Sequence, residues 1–193
     1  MAALKYGLVH HPIPGESRSG DAYCVIDRER YFLVAVVDGL GHGEEATLAA
    51  QRAIAYIEAH PERTPQRLVE GCHEALKGTR GAVMAVARVE RDRRLLQHAG
   101  LGNIETRVVT RDRVRRPVTV NGIVGHALRK LRTEEFPFEP GDLLIMHSDG
   151  ISDRFDLSAL ARQRDLQMLA DQLVRENGRF NDDQLMLVVR DEP

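Results

Sequence analysis

Aspartate stands at the edge of an apolar run in four places along this 193-residue chain. Asp38 closes "YFLVAVV", Asp149 follows "LLIMHS", Asp182 and Asp183 precede "QLMLVV", and Asp21 precedes "AYCVI". Strand ends packed together can gather such residues from distant parts of a sequence. Converging carboxylates repel, and a hard divalent cation is the usual relief. Mg2+ and Mn2+ take oxygen ligands at about 2.0–2.2 Å, in roughly octahedral geometry, and keep several waters. Gly39 permits close approach of the backbone, so its carbonyl is a further candidate ligand. One Asp-Gly pair after a strand is ordinarily a turn. Two of them, Asp38-Gly39 and Asp149-Gly150, with a double acid before the last strand, make coincidence less attractive. On residue types alone the reading stops at a candidate divalent-metal site.

The elements that must position these acids can be read from periodicity. Residues 31–37 are a short, β-branched-rich apolar run, the pattern of a buried strand. "GEEATLAAQRAIAYIEAH" follows with Ala46, Ala50, Ile54 and Ile57 at helical spacing, and Glu44 and Glu45 in the first turn, where the helix dipole favours them. Thr64-Pro65 predicts a second helix start, with Leu68, Val69, Cys72, Ala75 and Leu76 inward and an end near Gly78. From Gly81, "GAVMAVARVE", "RLLQHAG", "IETRVVT" and "RRPVTVNG" read as consecutive short strands, and 142–151 as another. A helix is expected from Leu157 to Arg175, then a loop "NGRFNDD" and a last strand over 184–190. The economical architecture is a single α+β domain spanning 1–193, mainly antiparallel.

Composition bounds the function. Hydrophobic residues make up 42%, enough for a proper core. Lys plus Arg number 27 against 29 Asp plus Glu, a net charge of -2, which argues against a general nucleic-acid binder. Two cysteines, Cys24 and Cys72, are too few for a disulfide framework or a cysteine-based zinc site. No signal-peptide core and no membrane-length apolar run is present, so a cytoplasmic protein without membrane contact is expected.

The motifs "SGDAY", "VVDGLGHG", "HAGLGNIETRV", "LLIMHSDGI" and "NDDQLMLVVR", in that order across residues 19–190, resemble the metal-dependent serine/threonine phosphatases of the protein phosphatase 2C (PP2C) type. The similarity is to their SpoIIE-like bacterial branch, and the compact length is similar to RsbX-type stressosome phosphatases. The resemblance implies a four-layer α-β-β-α sandwich of two antiparallel sheets flanked by helices, with a metal cluster at one end. Carried over by motif, Asp38 would bridge two Mn2+ or Mg2+ ions and Gly39 would offer its carbonyl. Asp149 and Asp182 would complete one ion's shell, and Asp21 would hold the second. Asp183 and Gly150 would stand behind these ligands.

The implied chemistry is attack on phosphoserine or phosphothreonine by a metal-activated water, with no covalent intermediate. His42 is the candidate general acid, although it lies further from the aspartate than in eukaryotic relatives. Arg18 is the candidate phosphate-binding residue, against a solvated loop arginine. His147 is given a structural role. The implied clients are phosphorylated proteins of the sulfate-transporter/anti-sigma-antagonist (STAS) domain type in a stressosome, reset as negative feedback in a bacterial stress response. An anti-sigma-factor antagonist is the alternative client, and a docking module that has lost its metals the alternative class. A docking module is expected to have replaced one of the acids, and Asp21, Asp38, Asp149 and Asp182 are all present. A monomer is expected. "GLGN" at 100–103 lacks dinucleotide-loop spacing and is assigned a strand turn, and the basic stretch 110–118 an exposed strand.

Overall fold

The computed structural model describes residues 3–128, 130–155 and 163–192. Ten strands among them form two antiparallel sheets of five. One sheet runs, in spatial order, β2 (Asp21–Asp27), β3 (Tyr31–Gly39), β4 (Ala82–Glu90), β5 (Leu95–Leu101) and β8 (Glu134–Pro137). The other runs β1 (Ala3–His11), β10 (Gln184–Glu192), β9 (Leu143–His147), β6 (Glu105–Val109) and β7 (Val114–Arg115). Helices α1 (Glu44–Ala59) and α2 (Pro65–Ala75) cover the outer face of the β3 sheet, and α3 (Leu166–Asn177) covers that of the β10 sheet. The expected four-layer sandwich is therefore the observed one.

The two-residue period of β3 explains why it reads as an unbroken apolar run. Leu33, Ala35 and Val37 pack under α1 and α2, while Phe32, Val34 and Val36 face the other sheet. A strand buried on both faces has no side free for polar residues. Phe32, Val34 and Val36 meet Leu144, Met146, Leu185, Leu187 and Val189 in the space between the sheets. Ile145, Met186 and Val188 face outward to Leu169 and Leu173 of α3.

The helix starts follow local chemistry. Thr64 caps α2 by accepting from the Arg67 N–H, with Pro65 at the first helical position. Glu44 and Glu45 occupy the first turn of α1. Of the residues expected inward, Ala46, Ala50, Ile57, Leu68, Val69, Cys72 and Leu76 are buried, and Ile54 and Ala75 are partly so.

Three expectations change. The last helix starts at Leu166, because the Asp165 carboxylate accepts from Met168 N–H at 3.0 Å and fixes the cap there. The expected positions 157–162 lie outside the described residues. The strand expected over 115–122 is one only at its first residue: Pro117 has no N–H for a ladder, and beyond it Val120 bonds alone to Gly100 and Gly102. Strands β1 and β8 were not expected. β1 alternates, with Leu4 and Leu8 toward the inter-sheet core and Val9 toward α3, although lysine and histidine dilute the pattern.

Candidate metal centre

Each acid at the end of an apolar run arrives at the same end of the sandwich. Asp21 opens β2 and Asp38 is the last residue but one of β3, and the two are register partners. Both share the parity of the inward residues on their strands, Tyr23 and Val25 for Asp21 and Val34 and Val36 for Asp38. The pair therefore sits at the mouth of the inter-sheet core. Asp149 follows the end of β9, and Asp182 and Asp183 precede β10, so the opposite sheet supplies the other acids.

The loops are drawn tightly together. A Cβ at Gly150 would lie 1.7 Å from the Asp183 carbonyl oxygen, and one at Gly39 would lie 2.1 Å from the Ala46 carbonyl oxygen. Only glycine admits these approaches. The first brings Asp149 beside Asp182 and Asp183; the second packs the turn after Asp38 against α1.

Asp21 is 3% exposed. Its Oδ2 accepts from Ser148 Oγ at 2.7 Å, its N–H donates to Ser19 Oγ at 3.0 Å, and its Oδ1 is buried with no hydrogen-bond partner among the described residues. Burial, resisted by the Ser148 hydrogen bond and reinforced by Asp183, Asp149 and Asp182, pushes its carboxyl up to about 7. Burial pushes Asp38 further, to about 9, with Asp21, Asp149, Asp182 and Asp183 all adding repulsion. Asp182 is raised, by burial first and Asp149 next. These carboxylates feel one another strongly in a poorly solvated place, an arrangement that a cation relieves.

Asp183 is buried, and its two oxygens accept from Ile13 N–H and Gly20 N–H at 2.8 Å each. It fastens the loop leading into Asp21 to the start of β10. Two residues that sequence reasoning missed join the acids. Ser148 bridges the sheets, donating to Asp21 and accepting from Leu185 N–H at 3.0 Å. Asn103, in the stretch read as a strand turn, donates from Nδ2 to Asp149 Oδ2 at 2.8 Å. Its place one residue before a strand in "GLGN" was the available signal.

His42 is exposed in the loop before α1, and its Nδ1 lies 3.2 Å from Glu16 Oε1. Arg18 is exposed on the bend before Ser19. His147 is fully buried away from the acids, its ring tilted against Phe155 at 5.6 Å. This is the structural place expected of it.

Among the described residues no three His, Cys, Asp or Glu side chains make a ready-built metal cage. The orphaned Asp21 Oδ1, the repelling carboxylates and the all-oxygen donor set fit a hard divalent ion that keeps much of its water shell. Soft or imidazole-preferring metals find no donors among these acids.

Fold and site together define a phosphatase of the PP2C class. Residues 28–191 match the family model described as stage II sporulation protein E (SpoIIE), and the chain belongs to that family. It is 24% identical over 141 residues to the phosphoserine phosphatase RsbX of Bacillus subtilis (strain 168), covering 72% of this chain and 70% of that protein. Among solved structures it is similar to one described as "The bacterial stressosome: a modular system that has been adapted to control secondary messenger signaling". That match has a TM-score of 0.93 and 35% identity, and covers 97% of this chain and 100% of the other. RsbX in complex with magnesium matches over 100% of both chains, with a TM-score of 0.89 and 20% identity.

Proposed function

We propose that this chain hydrolyses phosphoserine or phosphothreonine on STAS-domain proteins of a stressosome, resetting them as negative feedback in a bacterial stress response. The observation that carries the chemistry is the facing pair Asp21 and Asp38, with a buried carboxylate oxygen that has no partner among the described residues. The client is supported by the 35% identical structure described with the stressosome and by the likeness to RsbX.

Asp21, Asp38, the Gly39 carbonyl, Asp149 and Asp182 are the groups that would hold Mn2+ or Mg2+, as two ions. Such ions, when bound, supply a water acidic enough to be hydroxide near neutral pH and neutralise charge on phosphoryl oxygens. The chain's own groups do the rest. Ser148 and Asn103 hold Asp21 and Asp149 in orientation. Asp183 keeps the Asp21 loop in place. His42, steadied by Glu16, stands to give a proton to the departing seryl or threonyl oxygen. Among the described residues no helix is long and apolar enough to cross a membrane, and on this reading the protein works as a cytoplasmic monomer.

The test is phosphate release from a phosphorylated STAS-domain protein with Mn2+, with Mg2+ and with chelator, for wild type and Asp38→Asn. Metal-dependent release that the substitution abolishes is the expected result. Release that survives chelation or Asp38→Asn would sink the proposal.

A further inference from the structure

We propose that Arg179, on the loop between α3 and β10, is the side chain that grips the phosphoryl group of the substrate. The assignment rests on the phosphatase reading above and replaces Arg18 in the role expected from sequence.

The reasoning begins with charge. A phosphoryl dianion must enter a mouth already lined by Asp21, Asp38, Asp149 and Asp182, so a cation from the chain itself would lower the repulsion on entry. Besides Arg18, the basic side chains among the described residues near this end include Arg80, His42 and Arg179. Arg80 lies against Gly41, but its Nε is paired with Glu45. His42 is paired with Glu16. Arg179 is exposed and, among the described residues, has no ion-pair partner within contact distance.

The backbone of Arg179 is pinned to the site from both sides. Its N–H donates to the Gly150 carbonyl at 2.8 Å, next to Asp149, and its carbonyl accepts from Gln184 Nε2 at 2.8 Å, beyond Asp182 and Asp183. Gly178 adds a bridge to Ile151. The side chain thus leaves a backbone point fixed to Gly150 and Gln184, the neighbours of Asp149 and Asp183, and its charge opposes the repulsion that the other acids exert on Asp182. A free guanidinium on a fixed stem loses less freedom on binding than one on a loose loop. Its planar fork matches two phosphoryl oxygens at once.

The experiment measures turnover of a small aryl phosphate and its inhibition by inorganic phosphate, at saturating Mn2+, for wild type, Arg179→Ala, Arg179→Lys and Arg18→Ala. Arg179→Ala is expected to raise both KM and the phosphate inhibition constant about tenfold or more. Arg179→Lys should recover part of the loss, and the Mn2+-induced rise in Tm should match wild type. Constants within twofold of wild type for Arg179→Ala would overturn the assignment, as would the larger loss falling on Arg18→Ala. Asp38→Asn, run alongside, separates the two readings. Turnover surviving that substitution overturns both, whereas a silent Asp38→Asn beside a normal Arg179→Ala overturns only the role of Arg179.

Discussion

Asp21 and Asp38 face each other across β2 and β3 as register partners, both turned into the end of the space between the sheets. Like charges directly opposite on neighbouring strands destabilise a sheet. Here the cost is compounded by burial, which is the largest cause of the upward displacement of both carboxyls. The pair makes sense as a binding feature that the folded chain carries at its own expense.

Asp38→Asn should therefore make the metal-free protein more stable while removing its activity. The amide keeps the shape of the carboxyl without the charge, and a gain on the order of 2 kcal/mol is expected near pH 7. Chemical denaturation in chelator measures the first effect and phosphate release with Mn2+ the second. A metal-free variant less stable than wild type would contradict the account.

Stability in chelator should also fall as pH rises. With folded values of about 7 for Asp21 and about 9 for Asp38, against an ordinary value near 3.8, the unfolded chain releases these protons first. The cost begins above pH ~4 and grows through pH 7 for Asp21 and pH 9 for Asp38. His98 and His147 act the other way: burial lowers both to about 4. Their contribution rises with pH from about 4 to 6.5 and is flat above. Between pH 6.5 and 9 the acids prevail, so denaturation midpoints in chelator should decline across that window. Asp38→Asn should flatten the decline.

Ser148→Ala should weaken both the fold and the site. The 1% exposed hydroxyl satisfies Asp21 Oδ2 and Leu185 N–H together, and its removal leaves two buried groups unpaired. A loss of about 1–3 kcal/mol is expected from denaturation. The Mn2+ concentration for half-maximal activity should rise about tenfold, as when a residue orienting a ligand is lost. An unchanged metal requirement would mean that Ser148 serves the fold alone.

His42→Ala tests the proton donor by leaving group. An aryl phosphate leaves as a stable phenolate and needs little help, whereas a seryl oxygen needs its proton. The substitution should slow phosphoserine hydrolysis by about a hundredfold or more and barely touch the aryl ester. Equal effects on the two substrates would remove His42 from the mechanism. The ring is exposed and, among the described residues, bonded only to Glu16, so the fold should be unaffected.

The acids were legible because each ends an apolar run, and a strand that must be dry on both faces, such as β3, announces its own end. What was not legible depends on the partner sheet. Ser148 looks like any polar residue after a strand until β10 is placed beside β9 and Leu185 N–H comes within reach. Asn103 reaches Asp149 across 46 positions of sequence, a distance that no local pattern records. Pro117 should have warned against a strand over 115–122, since Val120 returns to its neighbour by a lone bridge. β8 escaped because its residues are half-buried or exposed along an edge, where there is no apolar alternation to see.

The acids also divide between the two sheets: Asp21 and Asp38 lie on one, while Asp149 and Asp182 flank strands of the other. A metal centre held between these two sets of acids would act as a removable rivet through the seam of the sandwich. Its free-energy contribution would depend on ion concentration rather than on sequence. A cell short of the metal would then hold an enzyme that is idle and also less firmly fastened at that seam, and so easier prey for proteases.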